Sequence, residues 1–192
     1  GIVMGWIYAL KIITLTENNH YNFKQIKKSE FDNLIIYTVL GIILGGRLGY
    51  VFFYNLDYYI QNLHEILMTW HGGMSFHGGL VGVIVAVYIF SKKERNNFFK
   101  CTDIISCVAP IGIFLGRLAN YINGELYGKV TNIFWGVIFP DGGSLPRHPS
   151  QIYEAILEGL VLFILINHVA FKKKQIFKPG NVSGYFLIFY SF

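Results

Sequence analysis

Three short stretches of this sequence set polar side chains capable of chemistry among apolar neighbours. The first, His71-Gly-Gly-Met-Ser-Phe-His-Gly-Gly-Leu80, places His77 between two glycine pairs. An imidazole, with an unperturbed pKa near about 6.5, moves a proton at neutral pH. Glycines around it permit close backbone approach and N–H groups turned toward an anion. A lone histidine is more often a satisfied interfacial residue; the glycine context favours the chemical reading. The second stretch, Gly116-Arg-Leu-Ala-Asn-Tyr-Ile-Asn-Gly-Glu-Leu-Tyr-Gly128, puts Arg117 and Asn120 three apart on one helical face. Asn123 and Gly124 read as the end of that helix, just before Glu125. Arginine offers a planar fork of donors suited to phosphate, and the amides can fix a polar head group. Snorkelling would account for Arg117 alone, but not for its two amides and carboxylate. The third stretch, Arg147-His-Pro-Ser-Gln-Ile-Tyr-Glu-Ala-Ile-Leu-Glu158, enters a helix through Pro149 and Ser150, and Gln151, Glu154, Ala155 and Glu158 then form one stripe. Carboxylates one turn apart on an apolar helix face the bundle interior, where they could hold Arg117 or another cation; a purely architectural ion pair fits equally well.

The elements that must position these groups are hydrophobic. Of 192 residues, 53% are hydrophobic, 17% aromatic and 14% charged, against about 25% charged in a soluble domain. Mean hydropathy is +0.44. A span needs about 20 mainly apolar residues, and such runs occupy residues 1–16, 31–53, 76–90, 104–121 and 151–171, with a further one starting at 184–192. The spacing predicts an all-α, polytopic transmembrane helix bundle of about five complete or near-complete spans plus the start of another. Lys24, Lys27 and Lys28, then Lys92, Lys93, Arg95 and Lys100, then Lys172, Lys173, Lys174 and Lys178 supply eleven of the 16 Lys and Arg from three loops. They alternate with two loops poor in basic residues, 54–75 and 122–149. By the positive-inside rule the basic loops are cytoplasmic and the other two face outward. His71, His77, Arg117, Asn120, Asn123, Glu125, Arg147, His148, Gln151, Glu154 and Glu158 all crowd that outward side, as a site facing outward would require.

Other classes fall away. Cys101 and Cys107 make neither a disulfide framework nor a closed zinc site, so no structural metal is expected. The net charge of +5 does not gather on one polar face, which argues against nucleic acid. Small residues four apart, Gly41, Gly45 and Gly49, Gly78 and Gly82, and Gly112 and Gly116, predict close helix packing in one bundle. Residue 1 is glycine and opens onto an apolar run that lacks a signal peptide's basic start and small-x-small cleavage site, while Phe192 stops inside another such run. Residues 1–192 therefore read as a single integral-membrane domain incomplete at both termini. A small transporter or channel is the competing reading; it fits less well because the polar groups crowd one side instead of continuing through every span.

Together, Gly45-Gly-Arg-Leu-Gly-Tyr50 with Phe52-Phe-Tyr-Asn55, the stretch 72–79, the stretch 116–128, the stretch 147–159 and Pro179-Gly-Asn-Val-Ser-Gly184 closely resemble the prolipoprotein diacylglyceryl transferase family across essentially the whole chain. The Gly-Arg-x-x-Asn-x-x-Asn-Gly-Glu-x-x-Gly pattern is the specific part. The resemblance implies an enzyme of the bacterial inner membrane, its site facing the periplasm. It would move the diacylglyceryl group of phosphatidylglycerol to the lipobox cysteine thiol of a prolipoprotein signal peptide, the first step of lipoprotein maturation, and release glycerol phosphate. It implies His77 and Arg117 as catalytic, and Gly72, Gly78, Arg117, Asn120, Asn123 and Glu125 as substrate-binding, with no metal and no cofactor. Chemistry agrees: Arg117 suits the phosphate leaving group, and His77 would either assist thiol deprotonation or orient the head group. The resemblance also implies an arginine shortly after the tyrosine matched by Tyr190 and a first-span tyrosine upstream of Gly1, so the residues present are expected not to catalyse transfer by themselves.

Overall fold

The computed structural model describes residues 1–17 and 26–191. Lys24, assigned above to the first basic loop, and Phe192 lie outside the described residues. Among the described residues the α-helices follow in order: α1 (Ile2–Glu17), α2 (Lys28–Tyr54), the short α3 (Leu56–Gln61), α4 (Phe76–Lys93), α5 (Phe98–Asn123), α6 (Ser150–Lys172) and α7 (Asn181–Tyr190). Among the described residues no strand forms, only isolated bridges that join Arg147 to Val130 and to Val137. The chain is an all-α protein in which α2, α4, α5 and α6 are long and apolar enough to cross a membrane. The 16 residues of α1 rise about 24 Å, short of a hydrocarbon core about 30 Å thick.

α2 and α5 start upstream of their apolar runs, and polar groups cap the heads of several helices. Glu30 accepts from the Lys27 N–H at 3.2 Å at the head of α2, and Asn97 Oδ1 accepts from the Lys100 N–H at 3.2 Å at the head of α5. Ser75 Oγ does the same for the Gly78 N–H of α4 at 3.2 Å. Each satisfies a first-turn donor that has no partner within the helix.

The residues fall into two compact units, Asn22–Cys101 and the combination of Gly1–Tyr21 with Thr102–Phe192. In the first of these, α2 and α4 touch backbone to backbone. A methyl group on Gly49 would stand 2.7 Å from the Gly78 Cα, and one on Gly45 would stand 2.7 Å from the Gly82 Cα. Only glycine allows that approach, which supplies dispersion and weak Cα–H···O contacts where no hydrophobic force operates between helices. The expectation for Gly112 and Gly116 is corrected here: a methyl on either would meet nothing within 4 Å. Their spacing matches the motif, but the space at their missing methyls stays open, and Gly112 instead meets the start of α1, where a methyl on Gly1 would stand 3.6 Å from the Gly112 Cα.

In the other unit, α6 packs on α5 through Gly159, where a methyl would stand 2.7 Å from the Phe114 Cβ. The Tyr8 hydroxyl of α1 donates to Asn167 Oδ1 of α6 at 2.8 Å, and its ring packs on Phe163. Asp103 of α5 is fully buried and receives the N–H groups of Gly180 and Ser183, each at 2.8 Å, together with the Ser183 hydroxyl at 2.9 Å. One helix thereby caps the first turn of another, α7. Two segments of α6, Ala155–Val161 and His168–Lys172, widen to π geometry.

Candidate active site

The Asn-Gly-Glu sequence that ends α5 builds a tight reversal. The Gly124 N–H donates to the Tyr121 carbonyl at 3.1 Å and the Glu125 N–H to the Asn120 carbonyl at 2.8 Å. This pair of bonds needs a left-handed residue after the last helical position, and Gly124 has φ +70°. The reversal brings the Asn120 side-chain amide to the Glu125 carboxylate at 3.2 Å. From the start of α6, Gln151 Nε2 donates to the Glu125 carbonyl at 2.5 Å and the Ser150 hydroxyl to the Leu126 carbonyl at 2.9 Å. Asn120 and Glu125 are thus fixed to each other, with Gln151 holding the turn between them. Asn123 is exposed and its side chain bonds to no described residue.

Arg117, almost one turn before Asn120, meets the α6 stripe. Its Nε lies 2.8 Å from Glu154 Oε2, and its Nη2 lies 3.6 Å from Glu158 Oε2. The carboxylates do hold Arg117, as their spacing predicts. Glu158 lies within the π segment that starts at Ala155, a geometry frequent at functional sites. The Arg117 side chain is about a quarter exposed, and its Nη1 has no partner among the described residues. Tyr190 of α7 lies within electrostatic range of all three groups.

Arg147 does something else. It donates from Nε to the Gly142 carbonyl at 2.9 Å and from Nη1 to the Gly128 carbonyl at 3.3 Å, with its guanidinium 5.0 Å from the Tyr127 ring centre. It is a clamp for the 124–149 loop.

His77, Gly72 and Gly78 belong to the unit of α2 and α4. His77 is exposed on the first turn of α4, and its ring makes no hydrogen bond to a described residue. It contributes to a cavity of about 740 Å³ along α2 and α4, otherwise apolar and floored by Gly41, Gly45, Gly78 and Gly82. Gly78 also lies in the backbone contact with Gly45 and Gly49, so packing alone would demand glycine there. Gly72 has φ +80° with open space around it. The segment before His77 hangs on Arg47, which is almost fully buried and donates to the carbonyls of Ile66 at 2.8 Å, Gly72 at 2.5 Å, Gly73 at 3.2 Å and Glu65 at 2.6 Å. Its guanidinium also sits 5.1 Å from the Tyr59 ring centre. Close by, the exposed Tyr58 hydroxyl donates to Glu65 at 2.8 Å, a bond that pushes the Tyr58 pKa above the usual phenol value.

A prolipoprotein diacylglyceryl transferase family model matches residues 1–192. The chain belongs to that family. Curated relatives named phosphatidylglycerol–prolipoprotein diacylglyceryl transferase agree: one from Rickettsia felis is 54% identical over 192 residues, covering all of this chain and 71% of the relative. One from Rickettsia bellii is 54% identical over 191 residues and 70% of its length, and one from Rickettsia canadensis is 53% identical over 192 residues and 71% of its length. Family membership makes the chain a transferase.

Sequence reading overlooked the work of Arg47 and Asp103. Arg47 is an ionisable residue inside the apolar run 31–53 and Asp103 one at the edge of the run 104–121, the signal that marks a functional or structural polar contact at membrane depth.

Proposed function

We propose that Arg117 holds the phosphate of phosphatidylglycerol while the diacylglyceryl group passes to the thiol of a prolipoprotein's lipobox cysteine. In this transfer a glyceryl C–O bond breaks as a C–S bond forms, the thiol gives up its proton, and the departing glycerol phosphate gains a negative charge. A guanidinium contacts such an oxyanion through charge-assisted bonds that strengthen as the charge builds. The observation that carries this reading is the 2.8 Å contact of Glu154 with Nε, which fixes the plane of Arg117 and leaves Nη1 free of any described partner.

His77, exposed and unbonded among the described residues, takes the thiol proton or orients the head group. Asn120, Asn123 and Glu125 at the end of α5 contact the polar head group, while Gly72 and Gly78 give backbone access beside His77. The nucleophile comes from the protein substrate, because Cys101 and Cys107 are both buried. The setting is the bacterial inner membrane. The loops 54–75 and 122–149 face the periplasm, an orientation supported by the eleven clustered lysines and arginines of the opposite loops.

The test is transfer from labelled phosphatidylglycerol to a lipobox peptide by the full-length enzyme carrying Arg117→Lys. An ammonium cannot reproduce a planar fork, so turnover should fall about 100-fold, the order expected for losing one oxyanion contact, while the protein stays folded. Near wild-type rates at saturating lipid would refute the phosphate role.

A further inference from the structure

A phosphate explains Arg117 but not the two carboxylates beside it. Glu154 is accounted for by its contact with Nε. Glu158 is different: its Oε2 is buried, accepts no hydrogen bond from a described residue, and stands 3.6 Å from Nη2, too far for one. A buried acceptor left without a donor is costly, so native structures seldom keep one without a reason. The Glu158 side chain as a whole is 32% exposed, so an approach to it is open. On the same α6 stripe, Gln151 Oε1 is also buried without a partner, in a side chain with no exposure at all. The cluster therefore combines guanidinium donors with unpartnered acceptors. It matches a ligand that is anionic at one point and offers hydroxyl hydrogens nearby.

We infer that Glu158 is a specificity-determining residue: its Oε2 accepts a hydrogen bond from a head-group glycerol hydroxyl of the lipid substrate while Arg117 holds the adjoining phosphate. This rests on the reading of Arg117 given above. A hydroxyl is the group that lets a carboxylate sit close to a phosphate, because it donates to the carboxylate and separates two like charges. A lipid whose phosphate carries no hydroxyl leaves the buried Glu158 acceptor unpaired, so the same oxygen favours one head group over another. Sites built to bond a substrate hydroxyl discriminate strongly against analogues that lack it, because their polar groups are then left unpaired.

The test compares phosphatidylglycerol with phosphatidylpropanol, of similar size but without head-group hydroxyls, as donors to a lipobox peptide for the full-length enzyme. The wild type should prefer phosphatidylglycerol by roughly ten-fold or more in kcat/KM, the scale of one hydrogen bond whose buried acceptor is otherwise left unpaired. Glu158→Leu removes the acceptor, so the ratio of the two kcat/KM values should collapse to near one. Glu158→Gln, which keeps the shape and an acceptor oxygen, should retain most of the preference. The inference is overturned if Glu158→Leu keeps the preference, if it weakens both lipids equally with an unchanged melting midpoint, or if Glu158→Gln loses as much preference as Glu158→Leu. The last result would mean that the charge, not the acceptor, matters. Arg117→Lys in the same assay should weaken both lipids alike; if it does not, the phosphate assignment fails, while the comparison across Glu158 still reports on the hydroxyl.

Discussion

Gly78 separates packing from binding, and replacing it with alanine tests which one requires glycine. The added methyl would overlap the Gly45 carbonyl oxygen and stand 2.8 Å from the Gly49 Cα, where carbon atoms rest at about 3.5–4.0 Å. Both obstacles are backbone, so no side chain can rotate away, and α2 and α4 must separate by roughly 1 Å. Overpacking of this kind costs about 1–3 kcal/mol, partly offset by the gain of about 0.5–1 kcal/mol that alanine brings to a helix interior. At about 2–4 °C per kcal/mol for a chain of this size, the melting midpoint in detergent should drop by several degrees. Gly112→Ala is the internal control. Its methyl meets nothing within 4 Å, so it should leave the midpoint unchanged or slightly higher. Tryptophan fluorescence during heating reads both variants. If Gly78→Ala melted like Gly112→Ala yet lost transfer activity, the packing argument would be wrong and Gly78 would serve substrate access.

Arg47→Met removes a guanidinium that donates to four carbonyls, and at about 1.5–3 kcal/mol for each bond to a charged group the segment 62–75 should become sensitive to limited proteolysis even if α2 and α4 stay packed. Asp103→Ala should cost about 1–2 kcal/mol, the value of a lost helix cap, and should raise amide exchange selectively over the first turn of α7; uniform exchange along the chain would count against the capping role. For orientation, single-cysteine probes within residues 172–178 should resist an impermeant thiol reagent added outside intact cells while probes within 57–65 react, and the opposite pattern would reverse the proposed topology.

The helical architecture was legible because the bilayer simplifies the code: length and apolarity alone located the runs that became α2, α4, α5 and α6. Caps then extended them, as Asn97 does for α5, by contacts too local for a hydropathy reading to resolve. The triad of Arg117, Glu154 and Glu158 was legible from its four-residue carboxylate spacing, since charges on apolar helices seek opposite charges. The function of Arg147 was not. An arginine among histidine, proline and glutamine looks like a ligand group, and only the path of the loop brings the Gly128 and Gly142 carbonyls to its donors. Glycine spacing likewise marks where helices can approach, not where they do, which is why a methyl at 45, 49, 78 or 82 would collide with a helix backbone while one at 112 or 116 would meet nothing within 4 Å. The π turns had no visible signature, because the sequence from Ala155 to Val161 is ordinary apolar helix.

The cap that Asp103 provides has a consequence for biogenesis. Its carboxylate and the Gly180 N–H are 77 residues apart, so a ribosome makes the acceptor long before its donors. Until α7 is synthesised, α5 carries an acidic group with none of the three partners it finally receives, and burying it in lipid at that stage would be expensive. The unit is therefore expected to keep α5 next to the insertion machinery or to water until α7 arrives, and to close around Asp103 as a late event of membrane assembly.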